Sequence, residues 1–544
     1  MPGARPRHPL PAEVATAAAR RRRRFGVVIV ASAVFTAASP WFARNSAAAE
    51  TIVIDRIETP IAAGVVRLTD LRVEGAGIDA AALRTALERG DVLALRAESL
   101  TIARLDVIQP DGNELLRLDA VEARRIGMGG RIGEARIGRV TIRHASIQTP
   151  EPLLVADGAT LTGAVLSPSR PAEPGPATSF DPFAEFARTL GLSVDASGFA
   201  LAGTRVNFFG SEGNQDVMTF RSASVEAVGA ETRVTLDRLL RQSAPEGYAI
   251  EAIEAGRLVA DIEGAPQQAI GGLLALFGGQ ARAILPYAMS GDTFGVPFLG
   301  GDAGIFKLAR RLEATDLVVT LRSTERLEVS ATAQARRILG VMSRAGDAIR
   351  FRLEADGFMP PASPWPAAGA SAAWSIDARL ALVHDQAAKR LDVDLESYAV
   401  AGVGAGSASL SVEAIDRAAF STDEAARLGA LIVARLTRVE ARFRDAGGVA
   451  GLIDALASAS GRPPAAARRE LVALAPFLAR AHAPAPSAGP IGEAAARFIA
   501  APGQISLAAT ATSAGLSLAD VAAAQSLSEL MAAFETRIDT TPSQ

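Results

Sequence analysis

The chain is 544 residues long, 49% hydrophobic and 21% charged, and contains no cysteine, a length that fits roughly two to four structural units with a sizeable core. The missing cysteines exclude disulfide scaffolds, thiolate metal and iron–sulfur sites, and cysteine nucleophiles. Its net charge of −3 hides a split: residues 1–24 hold seven arginines against Glu13, a balance of +6, and subtraction leaves −9 on residues 25–544, which is not the basic excess of a nucleic-acid binder.

At the start of the chain, Arg20, Arg21, Arg22, Arg23 and Arg24 precede nineteen uncharged residues from Phe25 to Ala43. A membrane-spanning helix needs about 20 residues to cross ~30 Å of hydrocarbon, so residues 25–43 are predicted to be a single transmembrane anchor. The arginines lie before it, which places residues 1–24 in the cytoplasm and the bulk of the chain on the far side; Trp41 suits an interfacial position there. A cleaved signal peptide competes with this reading, because Ala47-Ala48-Ala49 precede Glu50 and satisfy the small-x-small rule; a buried soluble helix is a third reading. Of the 56 basic residues only Lys307 and Lys389 are lysines. That bias fits a GC-rich bacterium, whose far side is the periplasm, an oxidising place where a cysteine-free chain avoids mispairing.

Residues 50–167 alternate between apolar and polar, with Gly, Pro and Asp punctuation, and read as β-structure. One phrase, apolar-x-apolar-x-x-apolar-x-apolar, recurs from Val66 to Val73, Leu100 to Val107 and Val140 to Ile147. Its central extra residue predicts a bulge or bend in each strand. A helix is predicted from Ile78 to Glu88, with Asp79 near its start. Residues 168–186 are Pro-rich and predict a linker, with a short helix from Phe183 to Leu190.

Residues 187–414 resume the β texture. Strands are predicted at Thr219–Val228, Thr232–Leu236, Ala252–Ile262, Leu317–Ser323, Leu327–Ala333, Ile349–Ala355, Trp374–Val383, Leu391–Ser397 and Ala405–Glu413. Asp392, Asp394 and Glu396 share one strand face; they read as a wet face in preference to a Ca²⁺ site, which wants a glycine-containing loop. An apolar, Gly-rich insertion at residues 265–306, with Leu273, Leu274, Leu276 and Phe277 as its candidate apolar surface, reads as core helices across a sheet or as a flap that touches lipid.

In residues 415–544 helices are predicted at Thr422–Arg435, Gly448–Ser458, Pro463–Ala481, Ile491–Ala500 and Leu518–Thr536, with strands at Leu436–Asp445 and Gln504–Thr512. The helix at Gly448 presents Val449, Leu452, Ile453 and Leu456, and the one at Pro463 presents Leu471, Leu474 and Leu478. An Ala/Pro break from Ala483 to Pro490 separates these two helices from the helix at Ile491. The fold class expected is α+β: a transmembrane helix, then extended or curved antiparallel sheet regions of repeated amphipathic strands with helices packed on one face.

An anchor behind arginines followed by the strand phrases at Val66, Leu100 and Val140 resembles the AsmA/TamB-type periplasmic proteins. The SLSVEA strand at Ser409–Ala414, the passage EARFRDAGGVAGLIDALA and the passage RFIAAPGQISLAA are similar to anchored proteins of alphaproteobacteria and, more loosely, to the YdgA-like family. The resemblance implies an envelope role and, for the AsmA-type relatives, a groove that shields lipid acyl chains.

The residues themselves point to no catalytic chemistry. His8, His144, His384 and His482 are far apart, with no metal-ligand spacing. No GxSxG elbow occurs, the glycine runs at Gly127 and Gly402 miss a dinucleotide fingerprint, and neither lysine follows a P-loop. The expectation is a non-enzymatic envelope protein without cofactor or metal. It would present an amphipathic sheet to phospholipid, for transfer or envelope maintenance. Its expected partners are the inner membrane and either phospholipid itself or outer-membrane assembly components, with no nucleic acid. A scaffold without ligand and an envelope hydrolase are the competing readings.

Overall fold

The computed structural model describes residues 51–542 except 62–63, 77–78, 89–95, 128–130, 144–150, 169–191, 210–214, 230, 243–249, 264–308, 323–329, 361–374, 421–423, 514, 518, 521–523 and 525. The anchor with Arg20 to Arg24, Phe25 and Trp41 lies outside the described residues, as do the 265–306 insertion with Leu273, Leu274, Leu276 and Phe277, the helix at Phe183–Leu190, and His144. Among the described residues no helix is long and apolar enough to cross a membrane. These residues form antiparallel β-structure with helices, in two compact units: one runs to Phe208 and includes Ser224–Ala227, and the other takes Phe209–Ala223 and continues from Val228.

The first unit contains β1 (Thr51–Ile61), β2 (Gly64–Glu74), β3 (Ala97–Ile108), β4 (Glu114–Gly127), β5 (Arg131–Ile142), β6 (Leu154–Pro168), β7 (Leu192–Asp195) and β8 (Gly198–Phe209). From β1 to β6 each strand pairs antiparallel with the next, and β6 then pairs with both β7 and β8. Helix α1 (Ala80–Glu88) is capped by Asp79, whose Oδ1 accepts from the Ala82 amide at 2.7 Å. It buries Leu83 and Leu87, and its Leu87 carbonyl accepts a 2.8 Å hydrogen bond from the buried Thr59 hydroxyl of β1.

The repeated phrase extends beyond its three occurrences in sequence. Buried side chains fall at 52, 54, 57 and 59 in β1, at 66, 68, 71 and 73 in β2, and at 100, 102, 105 and 107 in β3. The set continues at 116, 118, 121 and 123, then 135, 137, 140 and 142, then 154, 156, 159 and 161. Each of these strands thus changes phase near its middle. Neighbours change together, so the register is the same on both sides: Ile54 pairs with Leu71 and Arg56 with Thr69, leaving Asp55 across from Asp70. At this step Asp70 of β2, Ala120 of β4 and Gly203 of β8 are left-handed, with φ of 52, 54 and 52°. This is the bend that the central x-x predicted. Strands β3 to β6 step a second time, which buries Ala97, Ile126, Ile132 and Ala164; Arg125 and Gly163 are left-handed there, with φ of 57 and 60°. The third phrase requires a correction, since β5 ends at Ile142 and its phrase begins at Ala135 rather than Val140. Strands β7 and β8 have no counterpart among the expected strands.

The second unit holds β9 (Gln215–Val228), β10 (Glu231–Gln242), β11 (Ile250–Glu263), β12 (Ala309–Arg322), β13 (Ser330–Ala345), β14 (Ala348–Phe358), β15 (Ile376–Asp385), β16 (Arg390–Val400), β17 (Gly404–Glu413), β18 (Arg435–Asp445), β19 (Gly503–Ala511), β20 (Leu516–Ser517) and β21 (Phe534–Pro542). From β10 to β19 each strand again pairs antiparallel with the next, β21 follows on β19, and short β20 pairs antiparallel with the start of β18. The step persists: Arg238 in β10, Asp316 in β12 and Gly357 in β14 have φ of 50, 51 and 62°.

A 3₁₀ turn (Arg417–Phe420) and helices α2 (Glu424–Val433), α3 (Gly448–Ser460), α4 (Pro464–His482), α5 (Ala485–Ala500) and α6 (Leu527–Ala532) complete this unit. Two expectations fail here. The Ala/Pro stretch is not a break, because α5 starts at Ala485 and carries Pro490 within it. Pro486 sits in the first turn, where its missing N–H costs little, and the packing of Ala488, Gly492 and Ala494 outweighs the bond lost at Pro490. The expected last helix from Leu518 to Thr536 is not continuous: Ala519 and Asp520 are helical, Leu527–Ala532 form the short α6 capped by Ser526, and from Phe534 the chain is β21. Phe534, Thr536, Ile538 and Thr540 alternate with period two and pair with β19; that pattern wins over the helical propensity of the alanines before it.

Candidate functional site

One face of the second unit is apolar without interruption across nine strands. Following the register, Leu312 of β12 stands beside Gly340, then Leu353, Leu380, Leu395, Ala408, Ala441, Leu507 and Ile538 of β21. At ~4.8 Å per strand the row is about 40 Å long. A second row beside it runs through Met342, Phe351, Leu382, Val393, Leu410, Val439 and Ala509.

Among the described residues, cover is concentrated at two places. Near β14 to β16, Ile415 and Ala419 of the 3₁₀ region and Ala430 and Ala434 at α2 bury Phe351, Leu382 and Leu391. His384 is fully buried there, with its Nε2 3.2 Å from the Ile415 carbonyl oxygen. At the far side, Phe498 of α5 meets Phe443 of β18 edge-on, with ring centroids 6.2 Å apart. Leu353 and Leu380 pack against the first of these covers, and beyond them Leu395, Ala408, Ala441 and Leu507 are only half-buried. Tyr398 adds the one phenol of this stretch, beside Gly406, and burial raises its pKa, so it stays neutral.

The opposite face is charged and self-paired. Arg311 meets Glu313 at 2.5 Å, Glu313 meets Arg337 at 2.7 Å, and Arg337 meets Glu354 at 3.3 Å. Arg352 then pairs with Glu354 at 3.1 Å and with Glu396 at 3.6 Å. To reach Glu396 it passes Ala381 of β15, its register partner. Asp392, one of the three carboxylates singled out in sequence, is held by Arg390 at 2.8 Å and by the Ser411 hydroxyl at 2.7 Å. Two of the three carboxylates are therefore engaged by guanidinium groups, and Asp394 is exposed on the strand. Among the described residues no group of three His, Asp or Glu side chains is arranged to hold a metal ion.

The helices correct a further expectation. Leu474 and Leu478 of α4 do not face the core as their spacing predicts: they are 42% and 55% exposed, while Ala467, Ala475 and Ala479 are buried. In α3 Ile453 is buried as expected, but Leu456 is exposed and Ala457 is buried in its place. The physical reason for α4 lies in α5: a Cβ on Gly492 would come within 2.7 Å of the Pro476 Cα and 3.1 Å of the Ala479 Cβ. Backbones this close admit only small side chains between them, so the large ones turn outward. The signal available in sequence is the alanine spacing at 467, 475 and 479, not the leucines.

A family model described as an uncharacterized protein matches residues 397–540, from the end of β16 through β21. No curated protein matches the chain.

Proposed function

We propose that the protein is a non-enzymatic, membrane-anchored component of a bacterial envelope, with its bulk in the periplasm, that binds lipid acyl chains on the apolar face of its second sheet for lipid transfer or envelope maintenance. The half-buried row from Leu395 to Leu507, which continues the covered Leu353 and Leu380, carries this reading. It is long, uncharged and partly wet, and each 100 Å² of it removed from water gains about 2.5 kcal/mol. The anchor rests on the uncharged residues 25–43 behind the five arginines.

The test uses the full chain, extracted with its native lipid, stripped, and offered a fluorescent fatty acid. Co-purifying phospholipid and saturable binding that phospholipid displaces are expected, with roughly tenfold weaker binding in Leu380→Asn and Leu395→Asn, each trading a leucine's burial for a polar group. Absence of lipid and of probe binding in the unaltered chain overturns the reading. Orientation is read separately: a reporter active only in the periplasm, inserted after Thr51, is expected to be active.

A second reading, a scaffold without ligand, draws on the first unit. There Leu68, Leu71, Leu105, Leu116 and Leu118 are at most 1% exposed, which leaves that stretch of sheet no open apolar surface to offer.

A further inference from the structure

Helix α4 carries a surface that its own fold does not use. Its small face, Ala475 and Ala479, closes on α5, and its opposite side bears Leu474, Phe477 and Leu478, exposed by 42%, 65% and 55%. These positions at i, i+3 and i+4 form one ridge, with exposed Ala473 and Ala481 beside it. No other large apolar side chain among the described residues is as exposed as Phe477.

The charges around the ridge are mostly positive, and the one acid of α4, Glu470 at i−4 from Leu474, is paired with Arg462. Residues 448–500 hold Arg462, Arg468, Arg469, Arg480 and Arg497 against Asp454, Glu470 and Glu493. Two of these acids are already engaged, Glu470 by Arg462 and Glu493 by Arg497. Within that stretch this leaves Arg468, Arg469 and Arg480 against Asp454, and Glu529 of α6, which packs against α4, adds one more acid. Arg480 lies over the Phe477 ring, 5.8 Å from its centroid, and Arg469 is exposed. This cationic patch sits on a body whose net charge is −9 beyond residue 24.

We propose that α4 docks on an anionic lipid bilayer surface, with Phe477, Leu474 and Leu478 entering the headgroup and acyl boundary while Arg469 and Arg480 contact lipid phosphates. An apolar ridge bordered by arginines is the arrangement by which a surface helix lies in a membrane interface. A second copy of the chain is the poorer occupant, because apposing two such faces sets Arg469 and Arg480 against their own duplicates. The contact is separate from acyl binding on the sheet and goes beyond it.

The absence of cysteine allows a single label. The full chain carrying Ala481→Cys, which keeps Phe477 intact, is labelled with an environment-sensitive dye and reconstituted in phosphatidylcholine vesicles with or without phosphatidylglycerol. The same label at Ala388→Cys, an exposed turn position, is the reference, and lipid-borne quenchers report depth. Quenching is expected at 481 and not at 388, only with phosphatidylglycerol, and weakened by salt. The docked population is expected to fall roughly fivefold for each of Arg469→Gln and Arg480→Gln; both side chains are exposed, so the thermal midpoint is expected to hold. Equal signals at 481 and 388, or equal quenching in neutral vesicles, overturn the proposal. So does shielding of the 481 label that rises with protein concentration without lipid, which would assign the ridge to a second copy. Because the readout is local to α4, it stays distinct from the fatty-acid assay of the sheet and from insertion through residues 25–43.

Discussion

Single residues at the strand steps carry an unusual backbone load. A non-glycine residue in the left-handed region is disfavoured by roughly 1–2 kcal/mol, and Ala120 takes it with φ of 54° and no polar side chain to compensate. Ala120→Gly is therefore expected to raise stability by about 1 kcal/mol, read as a higher urea midpoint. The reverse change at Gly203 is expected to destabilise by more, because its φ is 52° and an added Cβ would lie 2.4 Å from the Asp157 Oδ2. A second residue-scale effect concerns acid. The Arg337 hydrogen bond holds the Glu313 carboxyl below its ordinary value of 4.5, against the opposing effect of burial, and Arg311 adds to the lowering. A carboxylate whose folded pKa is lowered stabilises the fold above its unfolded value and loses that contribution as pH falls through the folded one. Glu313→Gln is thus expected to cost about 1 kcal/mol at neutral pH and progressively less below pH 4.5. A difference between the two chains that stays constant from neutral pH into acid would refute the assignment.

Whole elements differ in how openly the sequence announces them. The strands are legible because one face is apolar and period two is hard to mistake: each of the nine strands expected between Thr219 and Glu413 overlaps an observed one, though Leu327–Ala333 meets β13 only from Ser330, and most of β13 lies beyond it. Helix starts are legible where a side chain caps them, as Asp79 does for α1. What sequence hides is which side of a helix is inside. Leucines at 474 and 478 look like core, yet the close approach of α4 and α5 selects alanine and glycine for the contact. That selection depends on a neighbour whose place no local pattern states. Gly492→Leu is expected to force these helices apart at a cost of about 1–3 kcal/mol. Protease would then cut first between Ala483 and Ala501, whereas Phe477→Ser, on the outward side, is expected to leave the cleavage pattern unchanged.

At the scale of the molecule, the acidic body and the arginine-rich start prove to be only part of the charge pattern, since a second cationic patch lies on α4, deep in the acidic part of the chain. The apolar sheet face was legible as a set of strand faces; its continuity from Leu312 to Ile538 was not, because pairing partners are chosen in three dimensions. The same holds for the charged face, where Arg352 reaches past β15 to Glu396.

The shared mid-strand step has a consequence for how such a sheet can change over generations. Many of its ion pairs join an arginine to an acid two residues away on the same strand, as at Arg56–Glu58, Arg117–Asp119 and Arg390–Asp392, so they travel with their strand and say little about its neighbour. Alignment is instead fixed by the step, which from β1 to β6 works like a notch cut at the same height in each plank. A whole hairpin with its notch in place can be duplicated or lost and the planks on either side still meet, whereas one residue inserted above a notch turns half a plank over and puts its oily side into water.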